Sequence, residues 1–457
     1  MTSGGRSIPA LLFLGDVLVF VFSLWLTLLV RYTEVPGQPL LSEHFFAFSP
    51  LFLIWLLVFY MAGLYGKRVV FAKTMLFGAI LWTQVLNIVL AALFFFFTPD
   101  IGIAPKTNLL LYLVISLALI LAWRLYIFPR ISRPANRERA AVIGEGSEVE
   151  ELIKEVNSNP RYHLTLEVSA TPGEFIANPD GVAKRFQEAG VSTLVVDADN
   201  DALRPLLAKV YELAFVAPGY QFVDFHEMYE EVFDRVPLSL LQYDWFLKNV
   251  STSASAFYPA LKRLIDIVGG LLMGAVTIVL TPLVALFLRL EGPGPIFIVQ
   301  DRIGRYGVPI RAYKFRSMGK NKAASSEWTV EEKQDNHVTK VGSVLRRTSL
   351  DEFPQFINVL KGELSLIGPR NDILGLGLRL GEAIPYYNVR YIVPPGITGW
   401  AQINQQYEPG NISPQSIEET KMRLAYDFYY IKNRSLALDI VIALKTVKRM
   451  LFRVSNW

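Results

Sequence analysis

The sequence predicts a multi-domain α + α/β membrane protein, and three observations lead to this fold class. The chain has 457 residues, more than one hydrophobic core usually holds. Hydrophobic residues make up 52% and charged residues 19%, and the mean hydropathy is +0.32, a balance typical of a membrane protein with additional water-exposed domains. Four long apolar runs are followed by a region in which short apolar segments alternate with amphipathic ones.

The composition excludes several classes of protein. The chain has no cysteine, which rules out disulfides, thiolate metal sites and a cysteine nucleophile. Its net charge is only +4, and we find no basic stripe with interleaved aromatic residues, so we predict no nucleic-acid binding. The first apolar run is long and lacks a cleavage pattern of small residues, so we expect a retained anchor and not a signal peptide.

The four apolar runs predict a four-helix transmembrane bundle over residues 1–130. They cover residues 9–30, 48–65, 75–97 and 109–128, each near the ~20 residues that a spanning helix needs. The flanking basic residues that share one side are Arg6, Lys67, Arg68, Lys73, Arg130, Arg133, Arg137 and Arg139. The positive-inside rule therefore places both ends of the bundle in the cytoplasm.

Asp16 lies within the first apolar run. An acid inside a membrane is a functional candidate by default. The alternative is a carboxyl group that packs against a neighbouring helix.

Residues 131–240 predict a Rossmann-like α/β domain. The stretch RAAVIGEGSEVEELIKEV suggests a buried strand, a glycine turn and a helix, and further strands are expected at 191–198 and 220–225. Gly144 and Gly146 resemble the start of a dinucleotide fingerprint, but Val149 occupies the position of its third glycine. We therefore favour a structural or regulatory domain over a cofactor-binding one.

A fifth apolar segment covers residues 261–290 and is interrupted by Thr281-Pro282. Proline inside a helix removes a hydrogen bond and favours a kink. Basic residues flank both ends, so charge does not decide between two interpretations. The segment is either a fifth transmembrane helix or a broken helix that enters one leaflet and returns.

The last third of the chain carries an acidic pair, Asp351-Glu352, at the start of a predicted helix that ends before Gly362. One interpretation is a capping box between Ser349 and Glu352. Pro354 favours a helix that starts at or beside Asp351, because proline is harmless in a first turn. Earlier, the segments PIFIVQ and VPIRAYKF flank DRIGRYG and predict a β-hairpin.

Several cationic and polar residues lie before and after this pair in the sequence, and together they favour a catalytic role for it. They are Arg346, Arg370 after a Gly-Pro turn, Lys314 and Arg316 in YKFRSM, and Thr398 in the glycine loop PPGITGWAQIN. Cations beside paired carboxylates suit a diphosphate ester held with a divalent metal, for which we expect Mg²⁺. The stretch 436–452 mixes apolar residues with Lys445, Lys448 and Arg449, and suits either the membrane interface or a helix packed on the domain.

From about residue 259 onward the chain resembles the bacterial sugar transferases, the polyprenyl-phosphate hexose-1-phosphate (phosphoglycosyl) transferases. The matching segments are KRLIDIVGG, QDRIG, YKFRSM, LRRTSLDEFPQFINVLKGELSLIGPR, PGITGWAQIN and YDFYYIKNRSLALDI. The N-terminal part resembles, by architecture alone, the long members that initiate exopolysaccharide, O-antigen or capsule synthesis.

The resemblance implies a catalytic domain over residues 241–457, anchored by a re-entrant membrane helix at 261–290 with its break at Thr281-Pro282. It places the family's catalytic dyad, which is also the expected metal site, on Asp351 and Glu352. Phosphate-binding arginines fall on Arg346 and Arg370, and a later acidic active-site residue falls on Asp427. Three residues depart from the usual family sequence. Asn371 and Asp372 replace the usual proline and glutamate, and His337 replaces an arginine. These departures bear on the selectivity for the nucleotide or the sugar.

The implied reaction transfers hexose-1-phosphate from a UDP-sugar, with UDP-glucose and UDP-galactose as first guesses, to undecaprenyl phosphate. UMP is released, and Asp351 carries the phosphosugar as an intermediate. The implied partners are the two substrates, the lipid bilayer and a possible second copy of the chain. The implied location is the bacterial inner membrane, with the catalytic domain facing the cytoplasm. The alternative is a membrane-anchored ligand sensor or scaffold with a catalytically idle C-terminal domain.

Overall fold

A computed structural model gives the architecture of the protein. It describes residues 4–62, 64–65, 73–98, 105–131, 137–159, 162, 164–198, 200, 203–204, 207–212, 220–250, 257–318, 338–406 and 414–455. The chain divides into two compact units, Met1–Val232 and Phe233–Trp457. Most of the described residues are helical, and a small parallel sheet lies in the first unit. The predicted boundaries at 130 and 240 stay predictions.

The first unit begins with long apolar helices. They are α1 Gly4–Tyr32, α2 Gln38–Met61, α3 Lys73–Phe97 and α4 Pro105–Ala122, followed by a π-helical turn Trp123–Ile127 and α5 Phe128–Ile131. Within the described part of the chain, five helices are long and apolar enough to cross a membrane. The first four overlap the predicted runs, but the second begins at Gln38, before the predicted start at residue 48. Some of their polar side chains bond within the unit, as where the Trp55 indole donates to the carbonyl of Asn87 at 2.9 Å.

Asp16 is fully buried and forms an ion pair with Arg124, which lies in the π-helical turn. The hydroxyl of Tyr65 donates to Oδ2 of Asp16 at 2.9 Å, and Arg124 also donates to the carbonyl of Leu64 at 2.8 Å. The prediction of a carboxyl group packed against a neighbouring helix is therefore confirmed. A buried charge needs such a partner, since an unpaired one is very costly.

The rest of the first unit contains the parallel sheet. Its strands are β1 Glu138–Ile143, β2 Leu164–Ala170, β3 Thr193–Val196 and β4 Gln221–Asp224, in the spatial order β2-β1-β3-β4. The helices are α6 Ser147–Ser158, α7 Pro172–Ala177, α8 Pro179–Glu188, α9 Leu207–Tyr211 and α10 Phe225–Phe233. Residues 140–143 are completely buried, as expected for a central parallel strand. The strands expected near residues 140, 194 and 222 are confirmed, and β2 was not predicted.

The second unit carries the acidic pair. Its helices are α11 Tyr243–Asn249, α12 Phe257–Glu291, α13 Lys340–Arg347, α14 Phe356–Lys361, α15 Leu374–Ala383, α16 Trp400–Asn404, α17 Ile417–Asn433 and α18 Leu436–Ser455. Its strands are β5 Phe297–Ile303, β6 Pro309–Phe315, β7 Ser365–Ile367 and β8 Gly396–Thr398. β5 and β6 form the predicted antiparallel hairpin, and β7 pairs with β8 in parallel. Around α17 the core is aromatic, with the Trp400 and Tyr429 rings stacked at 5.7 Å.

α12 is continuous through Thr281 and Pro282, where the sequence predicts an interruption. The hydroxyl of Thr281 donates to the carbonyl of Thr277 at 2.7 Å. One face of α12 is buried along its length, at Asp266, Gly270, Gly274, Thr277, Val284 and Leu288. The other face is exposed and apolar, as at Leu272, Ile278 and Val279. Re-entry of this segment stays a prediction.

Candidate active site

The acidic pair lies on a tight turn that is held in place by the buried side-chain amide of Asn358. Ser349 has a left-handed backbone and makes no side-chain cap, so the capping box does not form. A 3₁₀ turn, Leu350–Gln355, follows and leads into α14, which ends at Gly362 with φ +83°. Asn358 of α14 donates to the carbonyl of Arg311 at 2.7 Å and accepts from the amide of Tyr313 at 3.3 Å. These bonds hold the turn against β6.

Glu352 is paired with two cations that come from distant parts of the chain. Its Oε1 atom accepts from Nζ of Lys314 on β6 at 2.7 Å and from Nη2 of Arg370, after β7, at 2.8 Å. Burial alone would raise the pKa of Glu352, but Arg370 and Lys314 outweigh it and hold this pKa well below its usual range. Glu352 is therefore ionised at any physiological pH.

Asp351 contrasts with its neighbour. It makes no hydrogen bond or ion pair with any residue that the structure describes. Burial, together with the negative charge of Glu352, raises the pKa of Asp351 to about 6, although Lys314, Arg370 and Arg346 act in the opposite direction. At neutral pH this carboxylate is largely ionised, yet no group among the described residues is bonded to it. Such a group is available to act as a nucleophile or a metal ligand.

Arg302 is a site residue that the sequence analysis missed. It lies in the quoted segment QDRIG, but no role was assigned to it. Its Nη1 donates to the carbonyl of Asn371 at 3.1 Å, and its other nitrogens donate to Oε1 of Gln300. Burial and the nearby charge of Arg370 lower the pKa of Arg302 to about 10, so it remains a cation at neutral pH.

Arg346 lies in the last turn of α13 and is partly buried. Its guanidinium forms no ion pair within the described ranges, although its charge acts on Asp351. Arg302, Lys314, Arg346 and Arg370 thus supply more positive charge than Asp351 and Glu352 supply negative charge. This excess suits an anionic ligand such as a diphosphate.

A buried ionic network of Arg390, Asp372, Asp427 and Arg423 holds the backbone of Arg370. Arg390, completely buried, pairs with both Asp372 and Asp427 and donates through Nη2 to the backbone carbonyl of Arg370 at 2.8 Å. Asp372 also accepts from Tyr387, Tyr391 and Arg423. Burial would raise the pKa of Asp372, but Arg390 and Arg423 hold it far below its usual range.

Asp427, predicted to be a substrate-binding residue, belongs to this network. It is 1% exposed and bonded to Nε and Nη2 of Arg390. Burial raises its pKa despite the two arginines. The structure therefore places Asp427 where it can orient Arg390. No local motif marks Arg390 as a functional residue.

Two other predicted site residues make contacts elsewhere. Arg316 donates to the carbonyls of Leu288 and Gly292, at 2.6 and 3.0 Å, and so closes the C-terminal end of α12 and not the dyad. The hydroxyl of Thr398 lies 2.8 Å from that of Thr446 on α18. The side chain of Arg347 and the segment with His337 lie outside what the structure describes.

The residues of the site fit a metal ion that is shared with a substrate. Within the described ranges, no three His, Asp or Glu side chains are placed to hold a metal together. Asp351 and Glu352 supply two adjacent carboxylates. Mg²⁺ commonly binds one or two carboxylates and completes its shell with water and substrate phosphates. The dyad matches this mode because Asp351 has no partner among the described residues.

Comparison with known proteins finds relatives in several bacteria. The UDP-N-acetylgalactosamine-undecaprenyl-phosphate N-acetylgalactosaminephosphotransferase of Aeromonas hydrophila is 39% identical over 197 residues, 43% of this chain and 45% of that protein. The UDP-glucose:undecaprenyl-phosphate glucose-1-phosphate transferase of Escherichia coli (strain K12) is 38% identical over 233 residues, 50% of this chain and 46% of that protein. The chain thus spans about half the length of these two relatives.

A third relative consists almost entirely of the matching region. The exopolysaccharide production protein PSS of Rhizobium leguminosarum bv. phaseoli is 37% identical over 199 residues, 42% of this chain and 96% of that protein. The family model described as bacterial sugar transferase matches residues 257–453, which include α12, the dyad and the Arg390 network. The chain therefore belongs to the bacterial sugar transferase family.

Proposed function

We propose that this protein transfers hexose-1-phosphate from a UDP-sugar to undecaprenyl phosphate, and that it thereby starts the assembly of an exopolysaccharide, O-antigen or capsule. The names of the relatives support the reaction class. The observation that carries the proposal is the dyad, in which Glu352 is paired with Lys314 and Arg370 while Asp351 has no partner in the described ranges. Glu352 holds the two cations in place, and Asp351, which has no partner in the described ranges, is available to act as the nucleophile.

In the proposed first step, a carboxylate oxygen of Asp351 attacks the β-phosphorus of the UDP-sugar. A new oxygen–phosphorus bond forms, the bond from that phosphorus to the bridging oxygen breaks, and UMP leaves with the bridging oxygen. Lys314, Arg370 and Arg346 neutralise the phosphate oxygens, which is what lets one anion approach another. Arg302 adds to the same positive field from a more buried position.

In the second step, a phosphate oxygen of undecaprenyl phosphate attacks the phosphorus of the adduct. The bond to Asp351 breaks, which regenerates the carboxylate and gives the polyprenyl diphosphosugar. Glu352 keeps Lys314 and Arg370 in place through both steps. Mg²⁺, held by Asp351 or Glu352 together with the substrate, would add further neutralisation of the diphosphate.

Membrane attachment through α12 fits the lipid substrate. The helix has 35 residues, which at 1.5 Å each is about 52 Å. Near its start, Arg263 donates to the carbonyl of Leu360 at 2.7 Å, and near its end the carbonyl of Leu288 accepts from Arg316. Both ends of α12 thus contact the same compact unit. If α12 crossed the bilayer, its two ends would lie on opposite sides of the membrane and could not both make these contacts. We infer that α12 enters one leaflet with its exposed apolar face and does not cross.

The remaining assignments follow the charge pattern of the chain. We propose a four-helix transmembrane bundle with both ends in the cytoplasm, in the inner membrane, because the basic flanks lie on one side. The catalytic unit would then face the cytoplasm, where nucleotide sugars are made. For the α/β domain we retain the Rossmann-like prediction, since its parallel strand order is compatible with it.

The test is the adduct itself. The enzyme, purified in detergent, would be incubated with UDP-sugars and Mg²⁺ without lipid acceptor, and UMP release and intact mass would be measured. We expect one UMP per enzyme and a mass increase of one hexose phosphate. Asp351→Asn should give neither, while Glu382→Gln, which changes an exposed acid on α15, should behave as wild type. UMP release by the Asn variant would exclude Asp351 as the nucleophile. A catalytically idle domain predicts no UMP from any donor.

A further inference from the structure

The side-chain amide of Asn371 is buried beside the dyad's arginine and lacks a partner. Asn371 follows Arg370 directly and is 7% exposed, and its Nδ2 atom is fully buried without a hydrogen bond in the described structure. A buried donor that is left unpaired loses its hydrogen bonds to water without replacement and destabilises the folded protein. Native proteins contain few such groups, and each one calls for an explanation.

The backbone around Asn371 is held on both sides. The carbonyl of Asn371 accepts from Arg302, and the carbonyl of Asp372 accepts from the amide of Ile303 at 2.9 Å. The carbonyl of Arg370 accepts from Arg390. The segment is thus fixed between the β5–β6 hairpin and the buried ionic network. The backbone of Asn371 is therefore fixed, which limits the positions that its buried side-chain amide can take and lowers the entropic cost of binding through it.

The chemistry of the amide indicates what it binds. Lys314, Arg302 and Arg370 already provide charged donors for phosphate oxygens. A neutral N–H donor on the residue that follows Arg370, and whose carbonyl accepts from Arg302, suits a neutral acceptor such as a sugar hydroxyl or an acetamido carbonyl. Proline, which the resemblance places at this position in other members, has no side-chain donor.

We propose that Asn371 is a specificity-determining residue whose Nδ2–H donates to a neutral oxygen of the donor's sugar ring or its substituent. This inference rests on the proposed function and deepens it. Loss of the amide would remove one hydrogen bond with the preferred sugar and none with other sugars. Selectivity between donors would then fall, while the chemistry at Asp351 would be retained.

The experiment compares wild type, Asn371→Ala and Asn371→Pro with UDP-glucose, UDP-galactose and UDP-N-acetylgalactosamine as donors. The kcat/KM for UMP release would be measured with each donor. For both variants we expect about a tenfold loss with the preferred donor and less than about a threefold loss with the others. The alanine variant keeps the inference testable if the proline variant does not fold.

Thermal unfolding provides a second readout and a matched control. Asn358 is also a buried amide, but it bonds to Arg311, Tyr313 and Glu363. Asn358→Ala should lower the Tm of the donor-free enzyme and reduce kcat/KM equally for all donors. Asn371→Ala should leave that Tm unchanged or higher, because it removes an unpaired donor, and should reduce the Tm increase that the preferred UDP-sugar produces.

Two outcomes would overturn the inference. The kcat/KM ratios between donors could stay as in wild type, or the donor-free Tm could fall as it does for Asn358→Ala. Failure of the wild type to release UMP from any donor would instead refute the proposed function and, with it, this inference.

Discussion

Asp351 and Glu352 are adjacent in the chain, yet their pKa values are shifted in opposite directions. Burial and the charge of Glu352 raise the pKa of Asp351 to about 6. Burial acts on Glu352 as well, but there Arg370 and Lys314 outweigh it, and its pKa is lowered. Neighbouring acids with separated pKa values have different chemical roles. Glu352 is the permanent counter-ion, and Asp351 is the group whose charge changes near physiological pH.

The pH dependence of the first half-reaction should therefore follow Asp351. Attack requires the carboxylate, so the second-order rate constant for the single-turnover release of UMP without lipid acceptor should rise with pH to a plateau, with its midpoint near 6. At pH 5 about one tenth of Asp351 is ionised, so the rate should be about tenfold below the plateau. The diphosphate of the donor does not titrate in this range. A midpoint near 4 would contradict the raised pKa.

Glu352→Gln should shift this midpoint towards acid. The substitution removes the negative charge that helps to raise the pKa of Asp351, and it leaves Lys314 and Arg370 uncompensated. We expect the midpoint to fall by about one unit and the plateau rate to fall, because the two cations lose their anchor. Stopped-flow UMP detection between pH 4 and 8 would measure both. An unchanged or higher midpoint would show that Glu352 does not set the charge of Asp351.

Lys314 and Arg316 belong to the same short motif, but their substitutions should have different effects. Lys314→Met removes a cation from the dyad, so UMP release should fall about 100-fold, as when one preorganised charge-stabilising donor is lost. Arg316→Met removes the donor to the carbonyls of Leu288 and Gly292. It should lower the Tm and leave the KM for the donor sugar unchanged. Equal losses of activity for the two variants would place Arg316 in the site after all.

The parts of the fold that depend on local pattern could be predicted from the sequence. The first four long helices were found because length and hydropathy are local properties, and the β5–β6 hairpin was found because a glycine turn separates two β-rich runs. Strand β2 was missed although its apolar residues alternate with polar Thr165, Glu167 and Ser169, a pattern typical of a half-buried strand, because in this region we predicted strands only from continuous apolar runs.

The roles of the site residues depend on contacts between distant segments. Arg390 has no motif of its own, and its importance comes from Asp427, 37 residues away, and from the carbonyl of Arg370. The resemblance placed Asp427 in the active site. Only the folded structure shows that Asp427 instead bonds to Arg390, which in turn holds the backbone of Arg370. In the same way, no spacing in the sequence says that Lys314 and Arg370 share one oxygen of Glu352.

The buried pair of Asp16 and Arg124 should be important for the stability of the apolar helices. Asp16→Asn leaves the buried guanidinium without a counter-charge, and such a loss typically costs about 3–5 kcal/mol. The double variant Asp16→Leu/Arg124→Leu should lose less free energy of unfolding than the sum of the losses for Asp16→Leu and Arg124→Leu alone. Thermal unfolding in detergent would measure this coupling. Strictly additive losses would mean that the pair does not interact in the folded protein.

The absence of cysteine allows a direct test of how α12 lies in the membrane. Phe257 is 84% exposed at its start and Pro293 is exposed just after its end, so single cysteines at both positions would accept a membrane-impermeant maleimide. If α12 re-enters, both should be labelled in inside-out vesicles and neither in intact spheroplasts. Glu34→Cys, in the exposed connection between α1 and α2, is the matched control and should show the opposite pattern. Labelling of positions 257 and 293 from opposite sides would mean that α12 crosses the bilayer, and the dyad would then lie on the side away from the bundle's basic flanks.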